Sequence, residues 1–422
     1  MNIFEATETI LSALYASRMA YYESGNLSVL DEFGFDLLKC TLSVKDEPEA
    51  IAMGAEYIAC VLKNQPLTSV YYGLTPKVIV SADSSEYIYK RELMNVEFNG
   101  LSFSKSYPAN IKFLMINAKY AMCLLESHSL HLHEIKGDDA IIFPEINDEC
   151  GLITFAAMTP FFLMFATNIG KIIHFDLEEV VKINEYTHDC GIVSVFPQLG
   201  NGTKYVFIDV VNRAFINSPH REFLLEIQLS QKIDGLLWDS HPNNNYFITW
   251  AGNSVSSYIF SPYSISKEDC ACTKLANFNT LLLLGSTPVS LNNGTLTYQA
   301  LSGKLGTAKL APYVYFDAEK FAIRYKTEQE QVDALASVYF TSPTKVFDYF
   351  PALNTRRVWT LLADHALRVF DVKFAKIIYR QILQDAGMVA TLERIEKIEN
   401  VLELKGHLAV VFGDFALAKV LN

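Results

Sequence analysis

A pattern of apolar runs recurs along the middle of the chain with a period of about 40 residues. Each unit has a short apolar run, a turn and a second apolar run. The units begin at Ile111, Leu152, Ile192 and Ile233, which are 41, 40 and 41 residues apart. A third run follows in each unit, as in LHLHEI and KIIHFDL, and VVKINEY and FLLEIQL add a fourth. Four short strands per repeat of this length are typical of a β-propeller blade.

Three further segments resemble weaker blades, at residues 49–65, 77–93 and 287–310. The turns LGNGT, NNN, AGNS and NNGT supply residues that tolerate a positive φ between strands. We therefore predict an all-β, WD40-like propeller over residues 19–312, with residues 1–18 left uncertain. We expect this propeller to be incomplete, and open strand edges would then invite pairing with other chains.

The composition fits a folded, aromatic-rich β protein. Half of the 422 residues are apolar, and 22 Tyr with 28 Phe favour strands, which excludes a disordered chain. The 35 basic and 47 acidic side chains leave a net charge of −12. Because this charge repels a phosphate backbone, we expect no nucleic-acid partner.

The cysteines and the N-terminus suggest a reduced cytoplasmic chain. Seven cysteines are scattered, without a CxxC pair, so neither a disulfide framework nor a zinc motif is predicted. Two glutamates precede the first basic residue, which argues against a signal peptide. The uncharged stretch from Cys150 to Gly170 has Pro160 near its centre, so it predicts two buried strands around a turn and no transmembrane segment.

Three reactive residue types stand side by side at His188, Asp189 and Cys190. They could form a catalytic or metal-binding cluster, or the corner of a repeat. In WD-type blades a histidine commonly lies where one blade's outer strand ends and the next inner strand begins. Neighbours on an extended strand also point to opposite faces, so His188 and Asp189 would not act on one substrate. We therefore predict a structural role for all three.

A second histidine group lies in SHSLHLHEI, where His131 and His133 share one face of a strand near His128. Two histidines can bind a metal, but no third ligand follows at a suitable spacing. We interpret this run as an outer strand with alternating polar and apolar faces.

The remaining candidates are weaker. Asp138 and Asp139 are expected in a solvated loop rather than as an acid–base pair. GKLGTAK, at 303–309, lacks the spacing of a phosphate-binding loop, and the chain has neither GxSxG nor HExxH. The sequence thus predicts no catalytic residue, no cofactor-binding residue and no metal ligand, and hence no enzyme.

The pattern changes to helical periodicity from Thr327 onward, after a linker at 313–326. The run 358–383 places apolar and small residues three and four apart, and 403–421 repeats the theme, with FGDFALAK echoing FDVKFAK. Residues 327–422 are therefore predicted to form TPR-like repeats that start an all-α solenoid, although one helical bundle is an alternative. Because the last helix shows no polar capping face, we expect a longer architecture or a partner that covers it.

An ordered series of segments resembles one known family. The series comprises MAYYESGNLSVLD (19–31, the faintest), FATNIGKIIHFDLEEVVKINEYTHDCGIVSVFPQLGNGTKYVFID (165–209), GLLWD (235–239), LNNGTLTYQALSGK (291–304), VWTLLADHALRVFDVKFAKIIYRQI (358–382) and IEKIENVLELKGHLAVVFGDFALAK (395–419). It resembles the second propeller and following helices of the WD-repeat-containing protein 19 family, also called intraflagellar transport protein 144. By this resemblance, we expect the chain to lack the family's first propeller, the start of the second and most of the long solenoid.

The resemblance implies a non-catalytic scaffold subunit of intraflagellar transport complex A. Such a subunit supports retrograde ciliary transport and cargo entry into cilia. Its partners would be other complex A subunits, reached mainly through the solenoid, and indirectly dynein-driven trains and ciliary membrane cargo. Its expected location is the cilium or flagellum, the basal body and the cytoplasm. The family has no catalytic residue or single ligand motif to transfer.

Two other classes stay open from the residues. A different propeller–solenoid trafficking subunit, such as a vesicle coat or tethering component, would share the architecture. A propeller enzyme would gather carboxylates or histidines on its inner strands, whereas the runs IKFLMI, LITFAAM and IVSVFP are apolar.

Overall fold

A computed structural model describes most of the chain. The residues described are 12–15, 18–30, 40–54, 56–78, 94–137, 139–144, 150–198, 204–219, 221–229, 231–240, 245–265, 270–275, 280–281, 285–300, 305–315, 317–350, 352–353 and 355–421. They fall into two compact units, one of residues 1–222 with 299–305 and one of residues 223–298 with 306–422.

The described strands form seven antiparallel sheets. The first three sheets contain β1 (Ser12–Tyr15), β2 (Arg18–Glu23), β3 (Asn26–Leu30) and β4 (Cys40–Ser43); β5 (Pro48–Met53), β6 (Tyr57–Leu62), β7 (Gln65–Val78) and β8 (Met94–Ser106); and β9 (Ile111–Ile116), β10 (Tyr120–Leu125), β11 (Leu130–Glu134) and β12 (Ala140–Phe143). The next two contain β13 (Ile153–Met158), β14 (Phe162–Thr167), β15 (Lys171–Asp176) and β16 (Val181–Thr187); and β17 (Ile192–Pro197), β18 (Tyr205–Asp209), β19 (Ala214–Ser218) and β20 (Arg221–Ile227).

The last two sheets differ in size. One contains β21 (Gly235–Trp238), β22 (Tyr246–Ala251), β23 (Ser254–Ser261), β24 (Ala271–Lys274) and β25 (Thr280–Leu281), and the other contains β26 (Thr287–Asn292), β27 (Thr295–Gln299) and β28 (Leu305–Lys309). Six sheets therefore have the four or more strands of a blade, and the sequential strand order is that of a meander. The predicted β-propeller is confirmed.

Burial explains why the apolar runs are so prominent. The second strands of two sheets, β6 and β10, are buried at every position, so both of their faces need apolar side chains. The last strand β16 is mostly exposed along its length. Because the fully buried strands read as continuous apolar runs, the repeat was visible without an alternating pattern.

The uncharged stretch from Cys150 to Gly170 forms β13 and β14 as predicted, with a turn between them. In the part of the chain that the structure describes, no helix has the length and apolar character needed to cross a membrane.

The blade predicted at 77–93 is not a separate sheet where the structure describes it. Lys77 and Val78 end β7, which belongs to the same sheet as the segment 49–65. Residues 79–93 lie outside the described residues. The residues that begin this segment belong to the end of β7. Because β7 is 14 residues long, the hydrophobic pattern alone does not indicate where this strand ends.

The predicted turn NNGT is confirmed as a tight hairpin between β26 and β27. Asn293 and Gly294 both have a positive φ, of 44° and 71°, as a two-residue type I′ turn requires. In AGNS, Gly252 has a φ of 57°. LGNGT and most of NNN lie outside the described residues.

The helical region begins with a 3-10 helix (Ala311–Tyr313), α1 (Ala318–Arg324), α2 (Glu328–Thr341) and a second 3-10 helix (Pro343–Tyr349). It continues with α3 (Arg356–Arg368), α4 (Val372–Gln381), α5 (Ala386–Ile395), α6 (Val401–Val411) and α7 (Phe415–Leu421). Helix α1 lies inside the stretch 313–326 predicted as a linker. The series is consistent with the predicted α-solenoid.

The helices pair through the predicted apolar stripe. On α3, Trp359, Leu362, Ala363 and Ala366 are fully buried, and α4 contributes Ala375 at the same depth. Small side chains allow the two helices to approach closely, and packing of this stripe supplies most of the stability of such short helices.

The junctions between α3 and α4, α4 and α5, and α6 and α7 share the same local structure. Phe370, Gln384 and Gly413 each have a positive φ, and each is followed by an aspartate. Asp371, Asp385 and Asp414 each accept a backbone N–H from the next helix at 3.0 Å. A left-handed residue ends one helix and an aspartate caps the next, which explains the echo between FDVKFAK and FGDFALAK.

Candidate functional site

The residues from His188 to Gly191 form a bend between β16 and β17, not part of a strand. The bend approaches the turn of the preceding sheet closely: the His188 N–H donates to the Gly170 carbonyl at 2.8 Å. Gly170 has a φ of 89°, and a Cβ there would lie 2.6 Å from the carbonyl oxygens of His188 and Cys190. Only glycine fits both the conformation and the space.

Asp209, at the end of β18, joins this bend from the next hairpin. Its Oδ1 accepts the backbone N–H groups of Val211 at 2.9 Å and Arg213 at 2.8 Å. Its Oδ2 lies 3.4 Å from His188 Nε2 and 3.4 Å from Cys190 Sγ. The carboxylate is fully buried, so its orientation is fixed by these partners.

Arg213 supplies the positive charge of the group. Its Nε donates to Asp209 Oδ2 at 2.7 Å, and its Nη2 donates to both oxygens of Asp189, at 3.0 and 3.2 Å. Burial would raise the pKa of Asp209, but the hydrogen bonds from Arg213 outweigh it and hold that pKa below its usual range. The Arg213 hydrogen bond likewise lowers the pKa of Asp189.

The prediction that His188 and Asp189 face away from each other is wrong. His188 Nε2 lies 2.9 Å from Asp189 Oδ1, because the bend turns both side chains to one side. His188, Asp189, Cys190 and Asp209 present ligand-type atoms that all lie within 4.8 Å of one another. Nitrogen, sulfur and oxygen donors so arranged can connect the bend after β16 to the end of β18, or they can bind a cation. The structural role predicted for the three neighbours remains a prediction.

Sequence reasoning missed Asp209 and Arg213. Asp209 lies 21 residues after His188, and Arg213 lies 24 residues after Asp189. The available signal was the turn DVVNR, in which an aspartate and an arginine follow a buried apolar strand.

The second histidine group is buried among aromatic side chains. His133 Nε2 lies 2.8 Å from the Tyr107 hydroxyl, and His131 packs edge-on against the same ring at 5.8 Å. β11 lies between β10 and β12, so its prediction as an outer strand is wrong. His128 is placed elsewhere, with its Nδ1 2.9 Å from the Ile153 carbonyl oxygen.

Where the structure describes them, the other candidates show no partner that suggests chemistry. Asp139 is exposed, as expected for a solvated loop, and Asp138 lies outside the described residues. Of the segment 303–309, Leu305–Lys309 forms β28, and Gly303 and Lys304 lie outside the described residues.

The helices α6 and α7 expose several apolar side chains. Leu402 is 57% exposed, Phe415 68% and Val420 83%. The sequence predicts that 403–421 repeats the apolar stripe of 358–383, yet Ala418 is the one buried residue of α7. The exposed apolar area on these two helices is available for contact with another protein.

The four-stranded meanders, the histidine between consecutive blades and its aspartate in the following hairpin define a WD-repeat β-propeller protein with a helical region after the propeller. A sequence profile described as the WDR19 second beta-propeller matches residues 26–312. The chain belongs to this family, that of WD repeat-containing protein 19, and the resemblance seen in the sequence is confirmed.

Individual relatives agree with this assignment. WD repeat-containing protein 19 of Mus musculus is 30% identical over 425 residues, which cover 99% of this chain and 30% of the mouse protein. The Homo sapiens protein of the same name is 27% identical, over 99% of this chain and 29% of its own length. WD repeat-containing protein dyf-2 of Caenorhabditis elegans is 28% identical over 70% of this chain and 21% of its own length. The chain thus spans less than a third of the length of these relatives.

Proposed function

We propose that the chain is a non-catalytic scaffold subunit of intraflagellar transport complex A. It would support retrograde ciliary transport and the entry of cargo into cilia through protein–protein contacts. The observation that carries the proposal is the 30% identity to WD repeat-containing protein 19 over 99% of this chain, because it runs through both the propeller and the helices. A shared propeller alone would say little, since one fold serves many functions.

The proposed partners are other complex A subunits, with dynein-driven trains and ciliary membrane cargo reached through them. The proposed location is the cilium or flagellum, the basal body and the cytoplasm. The proposed division is a propeller (19–312), a linker (313–326) and a solenoid (327–422), although β1 precedes the first of these bounds and α1 lies within the linker. Neither a catalytic residue nor a bound cofactor forms part of the proposal.

The helical surface within 354–419 is the proposed main contact. Leu402 on α6 and Phe415 on α7 expose apolar area that a partner would remove from water. Burial of one such side chain contributes about 1.5–3 kcal/mol. An aspartate at either position would place a charge in that contact. It should change the stability of the unbound chain little, because both positions are exposed to water.

The test is purification of the tagged full chain from cells that carry cilia or flagella, with partners identified by mass spectrometry. We expect several complex A subunits, and we expect Leu402→Asp and Phe415→Asp each to reduce their recovery about tenfold or more. The matched control is Ile323→Asp, a 72% exposed isoleucine on α1, outside 354–419.

Other outcomes would separate the alternatives. Recovery of coat or tethering proteins in place of complex A subunits would assign the chain to another trafficking complex. Equal loss in all three variants would show a general effect of added charge and would contradict the proposed surface.

A further inference from the structure

We propose that His188, Asp189, Cys190 and Asp209 form a binding site for a divalent transition-metal ion, Zn²⁺, and that Arg213 is the cation this metal displaces. This inference goes beyond the scaffold function and replaces the sequence-based prediction that the chain has no metal ligand. It rests on four donor atoms that the bend after β16 and the end of β18 bring together.

The donor atoms have separations that suit tetrahedral zinc. Zinc binds nitrogen and oxygen at about 2.0–2.2 Å and sulfur at about 2.3 Å, so neighbouring donors lie roughly 3.3–3.7 Å apart around it. Asp209 Oδ2 lies 3.4 Å from His188 Nε2 and 3.4 Å from Cys190 Sγ. Asp189 Oδ1 is closer to His188 Nε2, at 2.9 Å, and this side chain is 66% exposed and accepts from Arg213, so its carboxylate would have to shift slightly to bind the ion.

The two buried donors are already oriented. The Tyr186 hydroxyl lies 3.3 Å from His188 Nδ1, and the imidazole packs against the stacked rings of Phe207 and Phe215, at 5.0 and 4.9 Å. Two backbone N–H groups engage Asp209 Oδ1 and leave Oδ2 toward the cluster. Outer partners of this kind fix the ligand atom that faces a metal.

The donor types select the class of metal. One imidazole, one thiol and two carboxylates suit zinc, whereas calcium and magnesium prefer oxygen donors alone. Cys190 would bind as the thiolate, and its proton would pass to solvent as the metal binds. The exposed Asp189 marks the side from which an ion can reach the buried pair.

Arg213 contacts three of the four ligand residues. It lies 2.7 Å from Asp209 Oδ2, 3.0 Å from Asp189 Oδ1 and 3.6 Å from Cys190 Sγ. A cation is therefore already favoured at this position. The Arg213 side chain is 38% exposed, so its guanidinium can move into water when a doubly charged ion takes the carboxylates.

The displacement of Arg213 by the metal can be tested by measuring metal affinity, which a purely structural ion pair would not affect. If Arg213 belongs only to a structural ion-pair network, its removal weakens the fold and does nothing more. If Arg213 competes with the metal, its removal also strengthens metal binding, because the carboxylates are released and a positive charge is taken away.

The experiment titrates the full chain with Co²⁺, whose absorption reports thiolate ligation, and then displaces the cobalt with Zn²⁺. We expect one metal per chain and a thiolate-to-cobalt absorption band. Cys190→Ser should abolish the band and weaken zinc binding at least about tenfold. Arg213→Gln should tighten zinc binding, and Cys272→Ser, which alters a half-buried cysteine elsewhere, should match the wild type.

Circular dichroism of each variant establishes that it is folded before titration. Zinc binding of unchanged affinity in Cys190→Ser would overturn the proposal. So would a folded Arg213→Gln variant that binds zinc no more tightly than the wild type, since Arg213 would then be a permanent structural cation.

Discussion

The Tyr107 hydroxyl lies 2.8 Å from Nε2 of His133, and both residues are buried. The other ring nitrogen, Nδ1, lies 3.0 Å from the Glu134 carbonyl oxygen, which can only accept. The network therefore assigns the proton to Nδ1 and lets Tyr107 donate to Nε2. Burial lowers the pKa of His133 to about 4, so the ring is neutral at physiological pH.

Acid should destabilise the protein through His133. The folded-state pKa of about 4 lies below the usual value of 6.5, so the unfolded chain binds the proton first as the pH falls. Stability from the neutral ring is complete above pH 6.5 and is lost between pH 6.5 and 4. The shift corresponds to about 3 kcal/mol. His133→Gln should lose this part of the pH dependence, measured as the free energy of unfolding at pH 7.5 and 4.5.

The matched control is His407→Gln, because the His407 side chain is 46% exposed. This variant should follow the wild type at both pH values. If His133→Gln also followed the wild type, the imidazole would not be the group that binds the destabilising proton.

Asp371 should be the most important of the three helix-capping aspartates. Its Oδ1 caps α4 through the Phe374 N–H at 3.0 Å, and its Oδ2 accepts the hydroxyl of buried Tyr339 at 2.9 Å. Asp371→Ala removes the cap and leaves the hydroxyl unpaired. We expect a loss of about 2–4 kcal/mol in the free energy of unfolding.

Asp414→Ala is the comparison, because Asp414 caps α7 through the Leu417 N–H and lies at the surface. It should lose only about 1 kcal/mol. Equal losses in chemical unfolding would show that the Tyr339 contact adds nothing to the cap.

Trp359 connects α3 to the segment that precedes it through a hydrogen bond. The indole is fully buried, and its Nε1 donates to the Leu353 carbonyl at 2.6 Å. Trp359→Phe removes that donor and leaves the carbonyl unpaired, so we expect a loss of about 2–4 kcal/mol. Trp250→Phe, which changes a half-buried indole, should lose less in the same unfolding measurement.

The sequence predicted the sheets well because their order is a local property. Each hairpin joins consecutive strands, and strands such as β10 are apolar at nearly every position because both faces are covered. The start of α2 is also a local feature, since the capping box of Thr327 and Glu330 lies within four residues, although the sequence analysis relied only on the change to helical periodicity there.

The clusters around His188 and His133 could not be predicted in the same way. Asp209 reaches His188 only because the DVVNR turn and the bend after β16 come together, and neither geometry is encoded in residue spacing. Tyr107 reaches His133 across 26 residues. Such contacts depend on the packing of neighbouring hairpins, which a hydrophobic period does not specify.

The turn between β26 and β27 should tolerate no side chain at Gly294. Its φ is 71°, and a Cβ there would overlap the ring of Tyr313. That ring is buried and packs edge-on against Tyr246 at 5.4 Å, so it has little room to move. Gly294→Ala should therefore lose the left-handed conformational term of about 1–2 kcal/mol and a similar or larger steric term.

Gly252 is the matched control because its φ is 57° and no atom lies within 4 Å of a Cβ built there. Gly252→Ala should lose only the conformational term, about 1–2 kcal/mol. The difference between the two variants should shrink in a Tyr313→Ala background, where the steric obstacle is gone. If the difference persisted in that background, the cost at Gly294 would lie in the backbone alone, and the close approach of Tyr313 would not restrict this position.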